Sequence, residues 1–228
     1  MALNSALGIG RSALTAYQAA LSVVGQNIAN AGTPGYSRAS ARLAALSGTG
    51  LNSGQLGGGV RLDAVRRNVN ESLNARLRLS GSDQQSALAQ RSSLSRVEGI
   101  FDPLGGDNLG SLLSEFFGSI SDLQNTPENP ASRGIVVNTA TALVQRIGDV
   151  REQLIGLRKD LNVDVEDAVI QADAIATKIA EINVQISSTE AATGGPASAL
   201  RDERDRLLTS LSEYFSITVK EQPSGAVN

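Results

Sequence analysis

Residues 143–186 read LVQRIGDVREQLIGLRKDLNVDVEDAVIQADAIATKIAEINVQI, a stretch without proline or aromatic residues. Its apolar residues alternate spacings of four and three, as in a coiled-coil seam, except around Leu161 and Val165, where two spacings of four meet. Such a stutter relaxes the supercoil locally. Because no proline occurs between Pro130 and Pro196, the pattern predicts one helix of about 60 residues, about 90 Å long. The predicted core positions of this rod are Leu143, Ile147, Val150, Leu154, Leu157, Leu161, Ile175, Ile179, Ile182 and Ile186.

Shorter elements are predicted on both sides of the rod. Helical periodicity indicates helices at 68–100, 109–123 and 197–212, the first with a weak point at Ser80-Gly81-Ser82. The stretches 36–43 and 60–65 predict a β-hairpin or extended excursion with a long, mobile Gly/Ser/Asn-rich tip. Near the end, Phe215, Ile217 and Val219 alternate with polar residues and predict a strand, followed by a turn at 223–225 and a return strand at 226–228.

These elements predict a mainly α fold. We expect an elongated helical bundle or coiled coil with a long central helix, a small β-hairpin excursion, and a C-terminal strand that opens a truncated β domain. The expected segments are an N-terminal heptad helix at 1–35, an extended linker at 36–67, a rod domain at 68–212, and the start of a β-rich domain at 213–228. Length and periodicity of this kind suit a rod better than a catalytic pocket.

The first thirty residues have a heptad pattern of their own. An a/d seam of four heptads predicts a helix that needs a partner helix, although an amphipathic helix packed on its own core has the same periodicity. Asn30-Ala31-Gly32 then predicts a left-handed cap, and Thr33-Pro34-Gly35-Tyr36 predicts a type II turn. The candidate seam residues are Leu3, Leu7, Leu14, Tyr17, Leu21, Val24 and Ile28.

Composition argues against several functions. The 228 residues include no Cys and no His, which removes thiol nucleophiles, disulfides, the usual zinc ligands and the commonest general base. No secretory signal and no membrane-spanning stretch is visible. The net charge of −3 is unevenly distributed: residues 1–67 carry six Arg and one acid, Asp63, whereas residues 98–132 carry six acids and no base. This asymmetry fits a solvated surface or complementary faces between neighbouring subunits.

Two clusters invite a chemical interpretation. Asp202, Glu203 and Asp205 alternate with arginines, and paired carboxylates can transfer protons or bind a divalent metal. The spacing of Asp202 with Arg206, and of Arg201 with Asp205, favours ordinary ion pairs along one helix instead. Neither catalytic, cofactor-binding nor metal-binding residues are therefore predicted. Nucleic-acid binding is not favoured either, because the arginines at 61, 66 and 67 are not interleaved with aromatic residues.

One long motif carries a resemblance. Ser12–Gln18 followed by Gln26–Arg38 resembles the N-terminal signature of flagellar rod, hook and hook-associated axial proteins. Three downstream stretches look like the family of the first hook-associated protein, which joins hook and filament: Phe116–Leu123, Pro127–Arg133 and Leu200–Leu208. The motif residues are Asn27, Ile28, Ala29, Asn30, Thr33, Pro34, Gly35 and Tyr36.

The resemblance implies a structural subunit, not an enzyme, that needs no cofactor and forms an adaptor ring between hook and filament. Its implied partners are copies of itself, the hook protein, a second junction protein on the filament side, and the export apparatus with its chaperone, through a C-terminus beyond residue 228. Export without a cleaved signal peptide to the extracellular flagellum is implied, without nucleic-acid binding or membrane insertion. A rod or hook subunit is the alternative within the family; a helical scaffold or coiled-coil interaction protein is the alternative outside it.

The resemblance also implies that residues 1–30 pair with a C-terminal helix that this chain does not contain. We therefore expect residues 1–30 to be poorly ordered or packed against another molecule.

Overall fold

The computed structural model describes residues 2–47, 57–101, 108–193 and 195–228. The side chain of Leu3, most of the hairpin tip and the loop 102–107 lie outside the described residues. The fold is mainly α, as predicted. Its elements are α1 (Ala2–Ala29), β1 (Ala39–Leu46), β2 (Gly59–Arg67), α2 (Glu71–Phe101), α3 (Leu109–Asn125), α4 (Pro130–Thr193) and α5 (Ser198–Ser212).

The long helix predicted from the seam is α4. It has 64 residues, which corresponds to about 96 Å at 1.5 Å per residue. It begins at Pro130, where proline costs no hydrogen bond because the first N–H groups of a helix have no intrahelical partner. α2 runs through Ser80-Gly81-Ser82 without a break, so this weak point in helix propensity does not end the helix.

The chain packs as two compact units, and α2 and α4 each contribute to both. Unit 1 contains residues 1–82 and 172–228, and unit 2 contains residues 83–171. This division differs from the four segments expected from sequence. The predicted rod at 68–212 is shared between the units, and the segment 213–228 packs inside unit 1.

A two-stranded antiparallel sheet lies beside α1 in unit 1. The strands begin and end two or three residues away from the predicted limits, apart from the start of β2, which differs by one. A β-bulge between Arg42 and Leu43 leaves Asp63 as an extra residue in β2. Because of the pleat, one sheet face carries Ala39, Leu43 and Leu62 toward α1, and the other faces solvent.

The main core of unit 1 joins the second half of α4, α5 and the C-terminal segment. Ile179, Leu208 and Val227 are buried together. The predicted strand at 215–219 is wrong: in the described part of the chain residues 216–219 pair with no other strand. Pairing begins only at Lys220, which exchanges two backbone hydrogen bonds with Asn228 (3.0 Å each), and Glu221 pairs with Val227 on either side of the predicted turn at 223–225. The reason is that Ile217 and Val219 both pack on this core, so the alternation reflected a segment lying on helices.

Unit 2 is built from the second part of α2, α3, and the first part of α4. Leu143, Val150 and Leu157 are buried at seven-residue intervals along α4. Ser119 on α3 is also buried, and its Oγ lies 3.0 Å from Thr139 Oγ1 on α4. Arg146 Nη2 donates to the carbonyl of Ile100 (3.2 Å), which places a positive charge at the C-terminal end of α2. In the part of the chain described, no helix has the length and hydropathy to cross a bilayer.

Candidate assembly surfaces

The N-terminal motif is held by one asparagine side chain. Asn27 Nδ2 donates to the carbonyl of Ala39 (2.8 Å), and the N–H of Ala39 donates back to Asn27 Oδ1 (2.9 Å). Tyr36 Oη donates to the same Oδ1 (2.9 Å). The amide of Asn27 therefore pairs with β1 as a neighbouring strand would, and it fixes the position where α1 meets the sheet.

The turn between them has the predicted geometry. The N–H of Tyr36 donates to the carbonyl of Thr33 (3.2 Å), and Gly35 has φ of 79°, as the third residue of a type II turn requires. The predicted left-handed cap at Gly32 is wrong, because the described glycines with positive φ are at 35, 59 and 225. α1 ends instead through an i→i+3 hydrogen bond from Ala31 N to Ile28 O (3.3 Å), and a second bond of this type, from Thr33 N to Asn30 O (3.0 Å), follows just before Pro34.

α1 presents two different faces. One is made of small residues and packs on the sheet: Ala16 is 3% exposed, Val23 is buried, and Ser12 Oγ accepts from the N–H of Val60 (3.2 Å). α1 thus packs on the hairpin of this chain through a face other than the candidate seam, and the expectation that the seam lacks its partner helix stays a prediction. The candidate seam is the other face, and it lies in solvent. Leu7, Leu14, Tyr17, Leu21, Val24 and Ile28 are between 49% and 73% exposed.

A buried ion cluster ties the end of β2 to α5. Arg67 Nη2 lies 2.7 Å from Asp202 Oδ1 and 2.5 Å from Asp205 Oδ2. Ser37 N, next to the motif, donates to the other oxygen of Asp202 (3.2 Å). All three charged side chains are at most 20% exposed.

This cluster corrects the predicted ion pairs of α5. Asp202 and Asp205 bind Arg67, 135 and 138 residues away, and not their neighbours on the helix. Arg206 pairs with Glu203. Asp202 and Asp205 therefore bind the guanidinium group of Arg67. Among the described residues, no group of three or more acidic side chains could hold a metal ion.

A second cluster fixes the C-terminal segment. Arg201 Nε donates to Glu190 Oε1 (2.6 Å), and Arg201 Nη1 donates to Glu221 Oε1 (2.6 Å). The hydrogen bond from Arg201 holds the pKa of the Glu190 carboxyl below its ordinary value of 4.5, and that partner raises the pKa of Arg201. Arg204 Nη1 donates to the carbonyl of Gly225 (2.5 Å), and burial lowers the pKa of Arg204.

The candidate rod core is divided between the units. Leu143, Val150 and Leu157 are buried in unit 2, and Ile179 and Ile186 are buried in unit 1 together with Ala172. Buried residues of α4 recur every seven positions except between Leu157 and Ala172, which are fifteen residues apart with no buried residue between them. The predicted stutter lies within this gap. Leu154, Leu161, Ile175 and Ile182 are half-buried. Ile147 departs from the expectation, since it is 49% exposed.

Comparison with known proteins identifies the family. A family described as the flagellar hook-associated protein FlgK helical domain matches residues 94–228. The chain belongs to this family. A second family, the flagella basal body rod protein, matches residues 7–36, which contain most of the seam and the Asn27–Tyr36 motif.

Curated relatives agree with this assignment. The chain is 31% identical over 228 residues to flagellar hook-associated protein 1 of Salmonella typhimurium, with 99% of this chain and 41% of the relative covered. It is 28% identical over 226 residues to the protein of the same name from Bacillus subtilis, with 96% and 44% covered. The Escherichia coli protein of that name is 26% identical, with 99% and 41% covered. The chain thus spans about two fifths of the length of the curated relatives it matches.

Proposed function

We propose that this chain is part of a structural subunit of the bacterial flagellum that forms an adaptor ring between hook and filament. The observation that carries the proposal is the exposed seam of α1. Six large apolar side chains lie in solvent on one helix, while the other face of that helix is fixed to the sheet by Asn27 and Ser12. An apolar heptad seam held rigidly in solvent is a surface for another helix. The names of the relatives support the flagellar setting.

The proposed partners are the proteins that a subunit at the hook–filament junction would contact. The seam receives a helix from the same subunit or a neighbour, the ring contacts the hook protein on one side and a second junction protein on the other, and the export apparatus with a chaperone delivers the subunit. The subunit works outside the cell, and it leaves the cell without a cleaved signal peptide. Its role is mechanical fit and not catalysis; the relatives' name, flagellar hook-associated protein 1, supports a role in assembly.

Deletion of the gene tests the proposal. Cells that keep hooks but shed filament protein into the medium support a junction role, provided that the full-length gene restores filaments. Cells with normal flagella would refute every flagellar version of the proposal.

A rod or hook subunit is the second candidate. The observation that favours it is the match of residues 7–36 to the basal body rod family. Deletion separates the two, since loss of a rod or hook subunit removes the hook itself. Electron microscopy shows directly whether cells of the deletion strain have hooks, and therefore decides between the junction subunit and the rod or hook subunit.

A further inference from the structure

The solvent face of the hairpin is strongly basic. Arg42, Arg61 and Arg66 lie on strands β1 and β2 and are exposed, and Arg38 directly precedes β1. Asp63, at the bulge, lies 3.4 Å from Arg61 Nη2 and 3.9 Å from Arg42 Nε. Arg38 and Arg66 form no ion pair with any residue that the structure describes. These four arginines and one aspartate, here called the basic face, have a net charge of +3.

The opposite sign occurs on α3. Glu115 and Asp122 are exposed and seven residues apart, so they lie on one side of the helix, about 10 Å apart along its axis. Gly118 lies between them, with open space where a side chain would be. Glu115, Gly118 and Asp122 are here called the acidic stripe. No basic residue occurs in α3 at all, so nothing on this helix neutralises the stripe.

The two units as a whole have opposite charge. Residues 83–171 include 13 acidic and 7 basic residues, a net charge of −6, while the rest of the chain has a net charge of +3. A contact between identical patches of two copies would place the basic face against itself and would be repulsive. A contact between unlike patches is attractive, and such heterologous contacts are the kind that close into rings.

We propose that the basic face of one copy docks on the acidic stripe of the next copy in the assembled ring. This inference rests on the proposed function, and it names the second copy as the occupant of the hairpin's solvent face. The contact is polar and solvent-accessible, so it sets the register and orientation of neighbouring subunits and weakens as salt rises.

Charge reversal tests the contact in cells that carry the full-length gene. The first variant combines Arg42→Glu with Arg66→Glu; the second combines Glu115→Lys with Asp122→Lys. Each alone places like charges together, so we expect loss of filaments and filament protein in the medium. The four changes in one chain restore attraction, and so does co-expression of the two variants, because copies then alternate. Thermal unfolding of each purified protein should match that of the parent.

The outcomes separate the contact from the proposed function. If neither reversal alters filaments, or if the first does and the combined changes do not rescue it, the second copy is not the occupant. In the latter case the basic face meets a different protein. Both results overturn the inference and leave the junction role intact, because that role is judged by the deletion strain alone.

Cross-linking tests the same contact without changing its charge. The chain has no cysteine, so introduced thiols are the only ones that it contributes. Ser40, opposite Arg66 on the solvent face, and Gly118 on the stripe are exposed positions for this purpose. Ser40→Cys with Gly118→Cys should give a ladder of multimers on oxidation of isolated flagella, whereas Ser40→Cys with Ser86→Cys, on α2, should not. Dimers alone, or no ladder, overturn the inference.

Discussion

The side-chain amide of Asn27 forms two hydrogen bonds with the backbone of Ala39, one in each direction. This geometry explains why the motif contains asparagine at this position, since only a carboxamide supplies a donor and an acceptor in the arrangement of a peptide group. The Tyr36 hydroxyl completes the acceptor side and connects the far end of the turn to α1. The motif therefore fixes the angle at which α1 leaves the sheet.

Asn27→Asp should destabilise unit 1 by about 1–3 kcal/mol, because a carboxylate oxygen then faces the carbonyl of Ala39 and leaves it unpaired. Urea unfolding followed by circular dichroism measures the change. Asn30→Asp is the matched control: Asn30 is also in the motif, but its side chain is half-buried and, among the described residues, forms hydrogen bonds with Gln26 in its own helix and with Thr33. An equal loss of stability in both variants would contradict this role of the Asn27 side chain.

Arg67→Met should cost about 3–5 kcal/mol, since it leaves the buried carboxylate of Asp202 and the half-buried carboxylate of Asp205 without their cation. Replacing all three charged residues by neutral ones of similar size should recover much of that loss, because the cost lies in the uncompensated charge. Arg61→Met, on the exposed face of the same strand, is the control, and we expect a change within about 0.5 kcal/mol. Unfolding curves for the four proteins decide the matter.

Stability should fall in acid partly through Glu190. Its pKa is lowered in the folded state, chiefly by the hydrogen bond from Arg201. A group with a lowered folded pKa contributes stability above its unfolded value of about 4.5, and this contribution is lost as pH falls through the folded pKa. Glu190→Gln should therefore flatten the decline of melting temperature below that pH. A variant with an unchanged acid slope would exclude this source.

Gly225→Ala should destabilise the C-terminal segment by about 1–3 kcal/mol. Gly225 has φ of 81°, and an added Cβ would lie 2.7 Å from Glu190 Oε2 and 2.9 Å from Arg201 Nη2. Gly32→Ala provides the contrast, because Gly32 has an ordinary φ and open space around it. If Gly32→Ala proves the more damaging change, the described end of α1 is wrong. Thermal unfolding of the two variants tests both statements.

Sequence periodicity predicted the helices well because each is determined by local spacing. The apolar row of α4 and the absence of proline between Pro130 and Pro196 were sufficient to predict a helix of the observed kind. The turn at Thr33–Tyr36 was predictable for a similar reason, since proline and glycine each restrict φ on their own. Local rules of this kind require no knowledge of distant residues.

The errors arose where a distant residue competes with a local pattern. Arg206, four residues away on the same helix, was the predicted partner of Asp202. Asp202 instead binds Arg67, which is 135 residues earlier in the sequence. Alternation at 215–219 indicated a strand, but helices α4 and α5 offered Ile217 and Val219 a surface instead. The pairing of Asn27 with Ala39 could not be predicted either, because the sequence motif does not indicate which backbone groups bind the Asn27 side chain.

The exposed seam gives the sharpest separation of assembly from folding. Leu14→Gln with Leu21→Gln changes two side chains that are 67% and 71% exposed, and glutamine is nearly as good a helix former as leucine. Unfolding of the purified chain should therefore change by no more than about 0.5 kcal/mol. In cells carrying the full-length gene, the same change should abolish filament attachment, because the partner helix loses its apolar surface.

Ala16→Gln, on the packed face of the same helix, should behave in the opposite way. Ala16 is 3% exposed against the sheet, so the larger polar side chain should lower stability by about 2 kcal/mol or more before assembly is considered. Stability and filament counts from both variants together assign each face its role. If the leucine variant unfolds early while the cells keep their filaments, the seam is part of the chain's own core and the proposed assembly surface is lost.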